Sequence, residues 1–131
     1  MSRAVGPTRA TTLPTSAAER KKYPVGTGVL RYFPDALVEI ARVSYEGNQQ
    51  HNPGEPLHWA RGKSNDQDDT FVRHFLESGT RDTDGQRHSA KLAWRALAIL
   101  QLEIEAEQDA DVEAQRVAEG RLSELREREG Q

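Results

Sequence analysis

HSAKLAWRALAILQLEIEAE, residues 88–107, is the stretch that decides the fold. On a helical wheel Ala90, Ala93, Trp94, Leu97, Leu100 and Ile104 form one wide apolar face. His88, Lys91 and Arg95 line the opposite side through the first two turns. Further along, that same side carries Ile99 and Leu102. A helix that is polar on one side at its start and apolar all round later is one that enters a pocket by its N-terminal end.

Working back toward the N-terminus, SGTRDTDGQR (78–87) is a turn rich in breakers. Asp82, Asp84 and Gly85 resemble part of an acidic metal loop, but the length and closing Glu of an EF-hand are missing. Residues 66–77 predict a second core helix, capped by Ser64 or Asn65. Phe71, Val72, Phe75 and Leu76 are its expected buried face. Asp66, Asp69 and Arg73 share another face at i, i+3 and i+7. Two carboxylates one turn apart can hold a hard cation such as Mg²⁺. The plainer reading is acid in the first turn of a helix plus an Asp69–Arg73 ion pair.

Residues 48–65 predict a long loop, because Pro53, Gly54, Pro56 and Gly62 exclude a helix. Leu57 and Trp59 argue that it is ordered. It gathers Asn52, His58, Trp59, Arg61 and Lys63, side chains suited to a base or a phosphate. Trp59 has two readings at this point: a platform for a base, or a plug for the core. Ahead of the loop, PDALVEIARVSYE (34–46) predicts a helix with Pro34 at its first position and Gly47 as a left-handed cap. Leu37, Ile40, Ala41 and Ser44 face inward; Asp35, Glu39, Arg42 and Glu46 face solvent, with Glu39 placed outside the pocket. Residues 23–33 predict a short extended segment. Its Gly26-Thr27-Gly28 lacks the Lys-Ser/Thr ending of a phosphate loop.

The ends differ from the middle. Residues 1–22 have no hydrophobic period and are expected to be a disordered arm. Residues 23–107 are expected to form the helical domain that carries the candidate nucleotide site. Residues 108–131 are a charged tail, helical or frayed, with a break expected at Gly120. The net charge is −3. From Glu103 onward there are ten acidic and four basic residues, so the preceding body is mildly cationic. That suits a small anion and is too weak and scattered for duplex nucleic acid. There is no cysteine, hence no thiolate or disulfide chemistry. No apolar run is long enough to span a membrane.

The expected fold is therefore all-α: a small helical bundle with a long ordered loop between its first two core helices. Hydrophobic residues are only 35% of the chain and charged ones 30%, so a homo-oligomer is expected to complete the core. Carboxylates among cations suit phosphate chemistry with Mg²⁺. Asp66, Asp69, Asp82 and Asp84 are the metal candidates, with Asp69 and His74 catalytic. Arg73, His88, Lys91 and Arg95 join the loop residues as nucleotide ligands. The His-x₁₃-His spacing of His74 and His88 with a nearby Asp offers a transition-metal site instead. It ranks lower, because neither zinc-finger nor HExxH spacing is present.

The blocks ARVSYEGNQQHNPGEPLHW (41–59) and DDTFVRHFLESGTRDTDGQRHSAKLAWRALAILQLEIE (68–105) resemble the phage-associated family of dATP/dGTP diphosphohydrolase N-terminal domains. The resemblance rests on Arg73-His74, then Asp82-Thr83-Asp84-Gly85, then His88 and the helix after it. Lys91 stands where a second His is expected, which favours a cation for phosphate over a His-pair metal site. A looser similarity is to the all-α MazG-like pyrophosphohydrolases. Those hold Mg²⁺ with Glu-x-x-Glu and Glu-x-x-Asp pairs, whereas Asp66-x-x-Asp69 is the clear acid pair here. The resemblance implies cleavage of a (deoxy)nucleoside triphosphate to monophosphate and pyrophosphate, in the cytoplasm of a phage-infected bacterium. A second expectation is a non-catalytic phage protein that sequesters a nucleotide, such as a host immune signal.

Overall fold

The computed structural model describes residues 11–62 and 67–130. Their architecture is all-α. In chain order there are a single turn α1 (Ala17–Arg20), a π-helical turn (Gly26–Leu30), α2 (Pro34–His51), α3 (Gln67–Leu76) and α4 (His88–Glu129). The only sheet-like pairing among the described residues is one antiparallel bridge, Arg81 with Arg87. Contacts divide the chain into two units, residues 1–95 and 96–131.

Four local expectations are corrected in the first unit. Residues 23–33 are not extended: Gly26–Leu30 coils into a π-turn closed by Arg31 N–H donating to the Gly26 carbonyl at 2.9 Å. Gly28 permits it, because a Cβ there would lie 3.1 Å from the Pro24 ring. Nor does α2 stop at Gly47, which is helical and has no positive φ. A helical glycine costs about 1 kcal/mol, and buried Asn48 compensates. Its Nδ2 donates to the Glu55 carbonyl at 3.0 Å, and Asn52 Nδ2 donates to its Oδ1 at 3.4 Å. These bonds carry the helix to His51, and the left-handed glycine falls later, at Gly54. The loop therefore starts at Asn52.

The third correction concerns α3, whose apolar stripe faces outward: Val72, Phe75 and Leu76 are exposed and Phe71 is half-buried. Thr70 and His74 are the buried residues. The helix turns a polar side inward because the groups it meets there are themselves polar. The fourth is Glu39, which is half-buried and not on a solvent face. Leu37, Ile40 and Ser44 do face inward, while Ala41 is exposed.

In the second unit α4 runs through Gly120 without a break. No proline follows within the helix, and its side chains supply local support. Gln115 Nε2 donates to Glu119 at 3.2 Å, and Arg116 pairs with Glu113 at 3.4 Å. Of the expected arm, residues 1–10 lie outside the described residues. Residues 11–22 include α1, capped by the Ser16 hydroxyl. Among the described residues no helix is long and apolar enough to cross a membrane.

Candidate functional site

The site is built by one turn folded back on one helix. After α3, Gly79 and Gly85 take φ of +88° and +82°, which side-chain-bearing residues rarely adopt. The Asp82 N–H donates to the Gln86 carbonyl at 2.8 Å, and the His88 N–H to the Thr80 carbonyl at 3.1 Å. Arg81 Nη1 donates to the Gly85 carbonyl at 2.8 Å. This brings Asp82 and Asp84 over the first turn of α4. There Lys91 Nζ donates to Asp82 Oδ2 at 2.7 Å and to Asp84 Oδ2 at 2.8 Å.

Alongside lies a pair of imidazoles. His74 Nδ1 and His88 Nδ1 are 2.9 Å apart, and both residues are buried. His88 Nε2 lies 3.3 Å from Glu77 Oε2. That carboxylate is placed to accept from an Nε2–H, the tautomer in which Nδ1 is the lone-pair nitrogen. His74, His88 and Asp82 each offer a ligand atom, and the three atoms lie within 4.8 Å of one another.

The electrostatics follow from this packing. Burial holds the His74 imidazole below its usual range, helped by the charges of Arg73, His88 and Lys91, and it is neutral at neutral pH. The bond from Lys91 holds Asp82 far below the usual carboxylate range, with the Thr83 N–H adding to it. Asp84 is lowered chiefly by Lys91 as well, against its partial burial. For Lys91, burial opposes the charge, but the bonds to Asp82 and Asp84 outweigh it and raise its pKa.

Two hollows share Glu39, and neither is lined by His74, Asp82 or His88. One, of about 300 Å³, is lined by Asp35, Ile40, Arg87 and Ala90 among others. The other, of about 310 Å³, is lined by Arg42, Arg81, Asp84 and Gln86. Glu39 Oε1 is 3.6 Å from Arg87 Nε. Gln86 is buried, and its Oε1 has no hydrogen-bond partner among the described residues.

Measured against the sequence reading, the structure brings together His74, Asp82, Asp84, His88 and Lys91. It joins Lys91 to the two carboxylates, where the sequence assigned the lysine to phosphate and the acids to metal. Asp69 is exposed and outside the ligand group. It is five residues before His74, so it points about 140° away around the helix axis. Asp66 and Lys63 lie outside the described residues. Arg73 and His58 are exposed. Asn52 is committed to Asn48. Trp59 packs edge-on against Trp94 at 5.7 Å, with the Arg61 guanidinium 4.2 Å over its ring. Trp94 is anchored in turn by its Nε1 donating to Ser44 Oγ at 2.7 Å. Of the two readings of Trp59, this is the plug. Arg95 lies 5.9 Å from the Trp94 ring. Sequence reasoning missed Glu77 and Gln86. Their only sequence signal is position: one follows a helix end and the other precedes His88.

The donor set can be tested against the metal that this chemistry implies. Two imidazoles and one carboxylate suit a borderline divalent ion better than Mg²⁺, which prefers oxygen throughout. Three protein ligands also leave positions for water or substrate, as hydrolytic centres require. The residues present therefore fit a metal.

Among the described residues, then, an all-α scaffold groups His74, Asp82 and His88 beside a lysine-bound acid pair. The family described as dATP/dGTP diphosphohydrolase, N-terminal, matches residues 12–112, and the chain belongs to that family. No curated protein and no solved structure matches the chain.

Proposed function

We propose that this protein hydrolyses a purine deoxynucleoside triphosphate, dATP or dGTP, between its α- and β-phosphates. Water oxygen bonds to the α-phosphorus, the bond to the bridging oxygen breaks, and pyrophosphate leaves with the electron pair. The observation that carries this reading is the grouping of His74, Asp82 and His88, whose ligand atoms lie within 4.8 Å of one another; the family supports it.

Each side chain has work in that reaction. His74, His88 and Asp82 would hold a divalent metal, which when bound acidifies a water and offsets phosphate charge. Glu77 orients the His88 ring through Nε2. Lys91 fixes the Asp82 carboxylate, so that its geometry is set before substrate arrives. Arg42 and Arg81 border the hollow beside Asp84 and are suited to phosphate oxygens. The unpartnered Gln86 Oε1 is an acceptor for an N–H donor or a water.

The test is incubation with each of the four dNTPs and a panel of divalent ions, followed by chromatography of the solution and of heat-denatured protein. The reading predicts monophosphate and pyrophosphate in equal amounts from dATP or dGTP. A nucleotide recovered intact and only after denaturation would instead establish sequestration. No product and no bound nucleotide would contradict both.

A further inference from the structure

We propose that His74, His88 and Asp82 bind one divalent transition-metal ion, of the zinc, cobalt or manganese type, through the two Nδ1 atoms and one carboxylate oxygen, in preference to Mg²⁺. This deepens the hydrolytic reading by naming the class of ion its centre takes, and it rests on that reading only in sharing the residues.

Three independent observations support it. The first is spacing. A metal ~2.0–2.1 Å from each nitrogen needs the nitrogens roughly 3.0–3.4 Å apart, depending on coordination number. They stand at 2.9 Å, so a few tenths of an ångström of ring motion admits the ion. The second is the support around the ligands. Glu77 on His88 Nε2 supplies the carboxylate–imidazole contact that fixes a ligating histidine in the right tautomer. Asp82 is held as firmly, its Oδ1 accepting from the Thr83 N–H at 2.7 Å and its Oδ2 from Lys91.

The third is the type of donor, two imidazoles and one carboxylate. Nitrogen donors select the class of ion, since imidazole suits first-row transition ions and Mg²⁺ surrenders its waters reluctantly. Asp82 and Asp84 share one ammonium, Lys91, while Glu77 faces His88. Arg73 stands beside His74, and Arg81 bonds back to the Gly85 carbonyl of the same turn, so the acids near the imidazoles are already balanced by cations. The plain alternative is a neutral His–His hydrogen bond, with His74 Nδ1 donating to His88 Nδ1, and it predicts no metal affinity.

The experiment uses the full chain, stripped with a chelator. Zn²⁺, Co²⁺, Mn²⁺ and Mg²⁺ are titrated calorimetrically, and Co²⁺ binding is followed by its visible absorption. One equivalent of Zn²⁺ or Co²⁺ is expected, with Mg²⁺ bound at least tenfold more weakly. Glu77→Gln, at an exposed position, is expected to weaken Zn²⁺ binding tenfold or more while leaving the circular dichroism unchanged. Asp82→Asn is expected to do the same and to alter the Co²⁺ spectrum. The proposal is overturned by the absence of stoichiometric Zn²⁺ or Co²⁺ binding, or by affinities that neither variant changes. The two readings fail separately. Tight metal binding without dNTP cleavage leaves this site standing and removes the hydrolytic reading. Cleavage with Mg²⁺ alone and no Zn²⁺ or Co²⁺ binding does the reverse.

Discussion

Lys91 Nζ lies 2.7 Å from Asp82 Oδ2, and the same ammonium reaches Asp84 Oδ2 at 2.8 Å. One cation from the first turns of α4 thus pins both acids of the preceding turn, and with them the carboxylate that faces the imidazole pair. The turn is held by charge where it has few apolar contacts to hold it.

Replacing Lys91 by Met should therefore lower stability by about 1–2 kcal/mol, the cost of charge-assisted bonds discounted for partial exposure. The loss has a pH signature. Asp82 and Asp84 have folded pKa values depressed below the unfolded ones, so their contribution is present above the unfolded value. It is lost as pH falls from about 4 downward. Thermal melts of wild type and Lys91→Met in chelator should differ at pH 7 and converge as the pH is lowered. A gap that stays constant with acidification would contradict the pairing.

Trp59 is read here as a packing residue, clamped between Trp94 and Arg61. Trp59→Ala should cost roughly 2 kcal/mol, less than a fully buried aromatic because the ring is half-buried. At a temperature where the variant is folded, its KM for nucleotide should stay within about threefold of wild type. Base–aromatic stacking is worth about 1–3 kcal/mol, so a rise of tenfold or more would restore the base-stacking reading.

How much of this was legible beforehand depends on the kind of signal. The all-α class was readable because residues 88–107 have a strong helical period. His74, Asp82 and His88 were readable as candidates because the block order placed them in adjacent elements. The pairing of Lys91 with Asp82 and Asp84 was not, since it depends on how the 78–87 turn folds back. The inward face of α3 was misread for a related reason. Periodicity marks which residues share a side, but it does not say which side faces the protein. Val72, Phe75 and Leu76 form a proper apolar stripe that points out. The His-x₁₃-His spacing was the signal for the proposed metal site, and it ranked low because no standard motif contains it and because Lys91 stands where a second His is expected.

That outward stripe carries its own prediction. Among the described residues the only buried apolar side chains are Ala90 and Ala98, too small a core to offset the entropy of ordering the chain. We propose that a second copy of the chain covers the α3 stripe, because a fold this short of core needs a partner that is present whenever the chain is. Light scattering should show a dimer or larger species, with a melting temperature that rises with concentration. Phe75→Glu should shift it toward monomer and lower that temperature. A wild-type monomer with a concentration-independent melt would contradict the proposal.

The central claim is that the His74–Asp82–His88 centre hydrolyses the nucleotide. Its most direct test is pyrophosphate release from dGTP and dATP, compared between wild type and Asp82→Asn, both verified as folded. Removing a ligand carboxylate should reduce the rate about 100-fold or more, on the scale of losing one preorganised electrostatic contact. Equal rates in the two proteins would contradict the account.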